Sequence, residues 1–169
     1  TLGMRAVTAR FDSVNFWEGS QALAQLPVFM PTSLETNLGT VEIARVGGVV
    51  EILATLTDLS GRVPPGAALN FRDGDRIVGT VATPSPGSAR FEWRPEIPGD
   101  RLFSVEFPEG GFYLASSDQV LVPVFMPTTL EFVNPPNEVD VGRPILLTLR
   151  LTDQKEVQIA GARVTLSDN

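Results

Sequence analysis

The chain has 169 residues, 43% of them hydrophobic, which is enough apolar material for a packed core and too much for a disordered chain. It contains no Cys and no His, so disulfide staples, thiol nucleophiles, His-based triads and Cys/His metal sites are all excluded. The net charge is −7 and Lys155 is the one lysine, so nothing supplies a basic stripe to neutralise phosphates, and nucleic acid is not an expected partner.

The 15 Gly and 14 Pro residues fall between short apolar runs, the punctuation of many strands and turns, so an all-β fold is expected. No apolar run approaches the roughly 20 residues of a membrane-spanning helix. The chain starts at Thr1 with neither Met nor a signal-like apolar stretch, and is expected to be an excerpt of a longer precursor.

In chain order, residues 1–26 carry Val7, Ala9 and Phe11 in alternation and then the aromatic pair Phe16-Trp17. Next comes Pro27-Val28-Phe29-Met30-Pro31-Thr32-Ser33-Leu34-Glu35, which recurs 96 residues later as Pro123-Val124-Phe125-Met126-Pro127-Thr128-Thr129-Leu130-Glu131. The two prolines of Pro-Val-Phe-Met-Pro fix φ and deny backbone donors, so the segment reads as a stiff linker that stops strand pairing across it.

Strands are expected over 32–36 and 40–44. The run 50–57 alternates with period two and places Val50, Ile52, Ala54 and Leu56 on one face. The same alternation turns Leu69 and Phe71 inward, then Ala89, Phe91 and Trp93, then Phe103, Val105 and Phe107, and finally Val120 and Val122; a further strand is expected over 77–82. Turn signals separate these runs at Ser60-Gly61, Pro64-Pro65-Gly66, Asp73-Gly74, Pro84-Ser85-Pro86-Gly87, Pro98-Gly99 and Glu109-Gly110-Gly111. Seven or eight strands in about 95 residues fit an immunoglobulin-like sandwich. Trp93 with Phe71, Phe91, Phe103 and Phe107 is the expected aromatic centre of its core.

The repeat extends on both sides of the nonapeptide. Upstream, Val7, Ala9, Phe11, Phe16, Trp17 and Ser20 correspond to Phe103, Val105, Phe107, Phe112, Tyr113 and Ser116. Downstream, Val46-Gly47, Ile52, Ala54, Leu56, Thr57 and Asp58 correspond to Val141-Gly142, Leu147, Leu149, Leu151, Thr152 and Asp153, one residue out of the earlier offset. The expected organisation is therefore the tail of one repeat (1–26), a complete repeat (27–122) and the first half of another (123–169). A period this long suits β-sandwich beads on short joints rather than a helical solenoid.

The residues that invite a functional reading are few. Asp73-Gly74-Asp75 could contribute carboxylates to a calcium site, against the simpler reading of a hairpin turn, which is favoured. Asp58 and Asp153 recur at one position near a strand end and read as turn-making side chains before ligands. Phe16-Trp17 and Phe112-Tyr113 occupy equivalent turns, where such a pair either binds glycan or a neighbouring protein or covers the open end of its own sandwich. Ser116-Ser117-Asp118 lacks the His base a serine hydrolase uses, so no catalytic residue and no cofactor is expected.

Val-Gly stands before an alternating strand that ends in Leu56-Thr57-Asp58 or Leu151-Thr152-Asp153, followed by the starts Gly66-Ala67 and Gly161-Ala162 and by Phe71-Arg72-Asp73-Gly74. Together these motifs resemble the bacterial and archaeal immunoglobulin-like repeats of large cell-surface proteins. Pro98-Gly99 before residues 103–107, followed by Gly111-Phe112-Tyr113-Leu114-Ala115-Ser116-Ser117, extends the likeness over essentially the entire chain. The resemblance implies an extracellular or cell-surface location and a structural role as stalk, sheath, surface layer or filament, with neighbouring copies of the same repeat as partners. Two alternatives stay open: an adhesin that binds cell-surface glycan or protein, and a filament subunit whose incomplete ends are completed by strand exchange between subunits.

Overall fold

Period-two alternation becomes strand almost everywhere it occurs. The computed structural model describes residues 2–84 and 87–167 and is all-β, with no α-helix among the described residues. The chain opens with a hairpin, β1 (Gly3–Phe11) and β2 (Ser20–Val28), paired in register from Gly3 opposite Val28 to Phe11 opposite Ser20.

Eight strands follow: β3 (Thr32–Thr36), β4 (Ala44–Arg45), β5 (Val50–Asp58), β6 (Ala68–Asp73), β7 (Arg76–Ala82), β8 (Ser88–Trp93), β9 (Gly99–Phe107) and β10 (Ser116–Phe125). They form a three-stranded sheet in the order β3-β5-β8 and a five-stranded sheet in the order β4-β10-β9-β6-β7. Both sheets contribute to one buried cluster, an arrangement of the β-sandwich kind: Ile52, Ala54, Leu56, Ala89 and Trp93 from the first, and Leu69, Phe71, Phe103, Val105 and Val122 from the second. The inward faces are those the alternation dictates. Trp93 tilts against Phe103 with ring centroids 4.6 Å apart, and Phe71 stacks on Phe91 at 4.6 Å.

Phe91 is only partly buried, and its ring lies over Gly79 of β7, where a Cβ would meet Phe91 Cζ at 2.9 Å. This glycine makes room for the aromatic stack.

The strand expected over 40–44 forms only at its end. Asn37 explains the break: its side chain accepts from the Leu53 N–H at 2.9 Å and donates to the Glu51 carbonyl at 3.0 Å, standing in for ladder bonds that β3 would otherwise continue to make with β5. The Leu38–Thr40 3₁₀ turn then buries Leu38, and the chain crosses to the other sheet, where Ala44 and Arg45 of β4 run parallel to Val124 and Phe125 of β10.

The pentapeptide also departs from the expected linker that stops strand pairing. Pro27 and Val28 lie within β2, and Pro123, Val124 and Phe125 lie within β10, so its first residues continue a strand, which ends at Val28 in the first copy and at Phe125 in the second. A proline is tolerated here because it lacks only a donor, and the rest of the strand keeps its ladder.

The chain continues with β11 (Thr128–Val133) and β12 (Thr148–Asp153), paired from Thr128 opposite Asp153 to Val133 opposite Thr148. Val164 and Leu166, which match Leu69 and Phe71, lie in no strand. Ser85 and Pro86 of the expected Pro-Ser-Pro-Gly turn, and Asp168 and Asn169, lie outside the described residues.

Candidate interaction surface

Two hairpin tips carry the exposed aromatic pairs. In β1–β2 the Val14 and Trp17 backbones exchange bonds of 3.1 and 3.0 Å; in β9–β10 Gly110 and Tyr113 do the same at 3.2 and 3.0 Å. Each tip needs one left-handed residue, supplied by Asn15 (φ 54°) in the first and Gly111 (φ 61°) in the second, 96 positions apart.

The surroundings of the two tips differ. The β9–β10 tip is clamped by the chain segment that leads into β3. The Met30 N–H donates to the Phe112 carbonyl at 2.7 Å, and the Leu114 N–H donates to the Met30 carbonyl at 2.9 Å. The Phe29 and Phe112 ring centroids lie 6.0 Å apart, and a Cβ added at Gly3 of β1 would sit 3.7 Å from the Phe112 ring. Just beyond, the Thr32 hydroxyl donates to the Leu114 carbonyl and accepts from the Ser116 hydroxyl, each at 2.8 Å, and Thr36 Oγ1 donates to the Asp118 carboxylate. Phe112 and Tyr113 are thereby half-buried. Phe16 and Trp17 of the other tip are 102% and 72% exposed.

The contacts of Ser116 and Asp118 tie β3 to β10 and bring no base to the serine. The Asp118 carboxylate also accepts from the Gln119 N–H at 2.9 Å.

Asp73 and Asp75 flank Gly74 (φ 59°) in the tight β6–β7 turn, as a hairpin reading requires. The oxygens of Asp73 are engaged: Oδ1 accepts from Arg101 Nε at 2.7 Å, and Oδ2 faces Trp93 Nε1 at 3.4 Å. Asp75 contributes its backbone carbonyl to Arg72 at 2.8 Å. No cluster of three or more acidic side chains that could hold a metal ion occurs among the described residues. An open cleft of about 230 Å³ lies beside this turn, and its charges are matched against one another, Arg101 with Asp73 and Arg76 with Glu96 at 3.5 Å.

Asp58 organises the loop after β5. Its Oδ1 accepts from the Ser60 hydroxyl at 2.6 Å, the Ser60 N–H at 2.7 Å and the Arg62 N–H at 3.0 Å. The Ser60 hydroxyl above all, then the Arg62 and Ser60 backbone N–H groups and the Arg62 charge, hold its carboxyl below the ordinary value of 3.8, against the opposing effect of burial. Asp153 builds the same loop, accepting from Lys155 and Val157 N–H groups at 2.8 and 2.9 Å. The left-handed residue is Gly61 in the first loop and Glu156 in the second.

No family model and no curated protein matches this chain.

The clamp on Met30 was beyond the reach of sequence reasoning, although its parts were visible as a repeated aromatic pair and a repeated pentapeptide. Nothing in their spacing says that one docks on the other, because the contact joins residues 82 to 84 positions apart. The Gly79–Phe91 contact was hidden for a similar reason, since a glycine in a strand gives no clue to which ring passes over it.

Proposed function

We propose that the chain is a non-enzymatic structural module of an extracellular, cell-surface array, built from immunoglobulin-like repeats. Residues 27–122 form the whole repeat, 1–26 the closing hairpin of the repeat before it and 123–169 the opening strands of the next. One observation carries this reading: local geometry recurs with the sequence register. The β1–β2 ladder repeats as β9–β10 with every pair displaced by 96 residues, and the β3–β5 pairing from Thr32 opposite Asp58 repeats as β11–β12 from Thr128 opposite Asp153. Left-handed glycines recur with it, Gly3 with Gly99, Gly47 with Gly142 and Gly66 with Gly161.

In this reading the Phe112 tip closing on Phe29 and Met30 is a contact within the whole repeat, made where the chain enters it from residues 1–26, and the module is a spacer whose entry direction the clamp fixes. Small-angle scattering of the chain and of Phe112→Ala tests it. The parent should give one distance distribution that fits the structure, and the variant should broaden it. A parent profile that requires freely reorienting pieces would sink the reading.

A further inference from the structure

The β1–β2 hairpin is exposed along its length except at one residue. Gly3 is buried, and every other residue of the two strands is exposed. The Phe112 ring lies over it. A Cβ built on Gly3 would sit 3.7 Å from Phe112 Cε2 and 3.9 Å from Cδ2, and among the described residues no other atom beyond its chain neighbours comes within 4 Å.

We propose that Gly3 is the seat for the aromatic tip of the repeat that follows, and that its bare backbone sets the angle and stiffness of the joint between the two. The inference rests on the repeat reading above, which assigns Gly3 to one unit and Phe112 to the next. It adds the surface by which one unit meets its neighbour.

The seat is a property of the repeat's own backbone. Gly3 has φ 107°, a conformation that residues with side chains rarely adopt, and its equivalent Gly99 has φ 112°. Gly99 is exposed, with no described atom within 4 Å of a Cβ built there, so the open backbone forms without a ring upon it.

The ring is held from both sides. Gly3 pairs with Val28 at the last rung of the β1–β2 ladder, and Phe29 follows Val28 directly. Phe112 therefore spans the end of the ladder, resting on Gly3 of one strand and tilted at 53° to Phe29 beyond the other. The Met30 N–H and carbonyl, bonded to the Phe112 carbonyl and the Leu114 N–H, fix the backbone that carries the ring. A ring so placed cannot follow a side chain growing out of position 3, and the hairpin must turn away instead.

A left-handed glycine also faces the neighbouring unit on the far side of the whole repeat. A Cβ on Gly47 (φ 75°) would lie 4.0 Å from Gln154 Oε1, in the Asp153 loop of residues 123–169. At both joints the glycine belongs to the preceding unit and the side chain to the following one.

Size at position 3 separates the seat from simple backbone strain. At 3.7 Å a methyl group makes ordinary van der Waals contact, whereas branched atoms beyond it would overlap the ring. Gly3→Ala and Gly3→Leu thus share the strain and differ in whether the ring keeps its place.

Nuclear magnetic resonance of the 169-residue chain reads the outcome. In the parent, the Gly3 Hα protons should cross-relax with the Phe112 ring protons, and residual dipolar couplings of β1–β2 should fit the same alignment as those of β3–β10. Gly3→Ala and Phe112→Tyr should keep that single alignment. Gly3→Leu should shrink the hairpin couplings several-fold while those of β3–β10 stay, and Phe112→Ala, which leaves the β1–β2 ladder untouched, should do the same. A parent with protected Met30 and Leu114 amides but no Gly3–Phe112 cross-relaxation overturns the seat and leaves the repeat reading standing. Couplings that survive Phe112→Ala, or that respond alike to Ala and Leu at position 3, overturn it as well. Loss of the β1–β2 ladder from the parent itself would take the repeat reading down with it.

Discussion

Trp93→Ala is the sharpest test of the two-sheet core. The indole is 1% exposed at the end of β8, packed on Phe103 with its N–H facing Asp73. A buried aromatic of this kind removes about 150–250 Å² from water, which at about 25 cal/mol per Å² corresponds to about 4–6 kcal/mol. The unfolded chain already shields part of that surface, and measured Trp→Ala losses run at about 3–5 kcal/mol. The Asp73 contact adds little, since 3.4 Å is long and Arg101 still holds the carboxylate. At about 4–8 °C per kcal/mol for a domain of 60–100 residues, the melting temperature should fall by more than about 10 °C. Far-UV circular dichroism is the proper signal, because the indole left behind, Trp17, lies in solvent and does not report on the core. Trp93→Phe should lose clearly less, and Trp17→Ala should stay within about 0.5 kcal/mol of the parent. A Trp93→Ala melting temperature within about 2 °C of the parent would refute the placement of this ring at the centre of the fold.

Gly79→Ala pushes a methyl into the Phe91 ring and should destabilise by about 1–3 kcal/mol in urea titrations, with Phe91→Leu relieving part of the loss; additive losses would contradict the direct clash. Asp58 has a folded-state pKa below its ordinary 3.8, so its contribution is fully present above that value and is lost as pH falls through the lower, folded one. Asp58→Asn should therefore flatten the acid limb of stability below about pH 4, and an unchanged limb would show that other carboxylates carry it. Arg101 already neutralises the Asp73 carboxylate, so neither calcium nor EDTA should move the melting temperature; a calcium-dependent rise abolished by Asp73→Asn would favour the cation reading of the Asp73-Gly74-Asp75 turn over the plain hairpin.

Where burial follows from alternation, the strands and their inward faces were legible in the residues alone. Ile52, Ala54 and Leu56 on β5, or Phe103, Val105 and Phe107 on β9, leave water together in only one register, while Leu53 and Leu102 on the opposite faces stay about half exposed. The Asx loops at Asp58 and Asp153 were legible too, because their hydrogen bonds span only two to four residues. The crossing from β3 to β4 was not. It depends on Asn37 reaching the Leu53 and Glu51 backbones, so the side chain that stops the ladder acts on residues 14 to 16 positions away. For the same reason the aromatic tips could be found but not placed. Phe112 and Phe16 share a local sequence setting, and only the arrival of Phe29 and Met30 separates a half-buried ring from one in open solvent.

The short β4 strand has a mechanical consequence. It runs parallel to the end of β10, with Ala44 beside Val124, Arg45 beside Phe125, and a further bond from the Val46 N–H to the Phe125 carbonyl at 2.9 Å. Parallel neighbours whose free ends point opposite ways along the chain slide past each other when pulled. Tension applied at Pro31 and Pro127 would therefore load these bonds together in shear instead of opening them one by one. Three hydrogen-bonded positions at the rim of one sheet would thus determine whether a stretched chain yields at a low force or a high one.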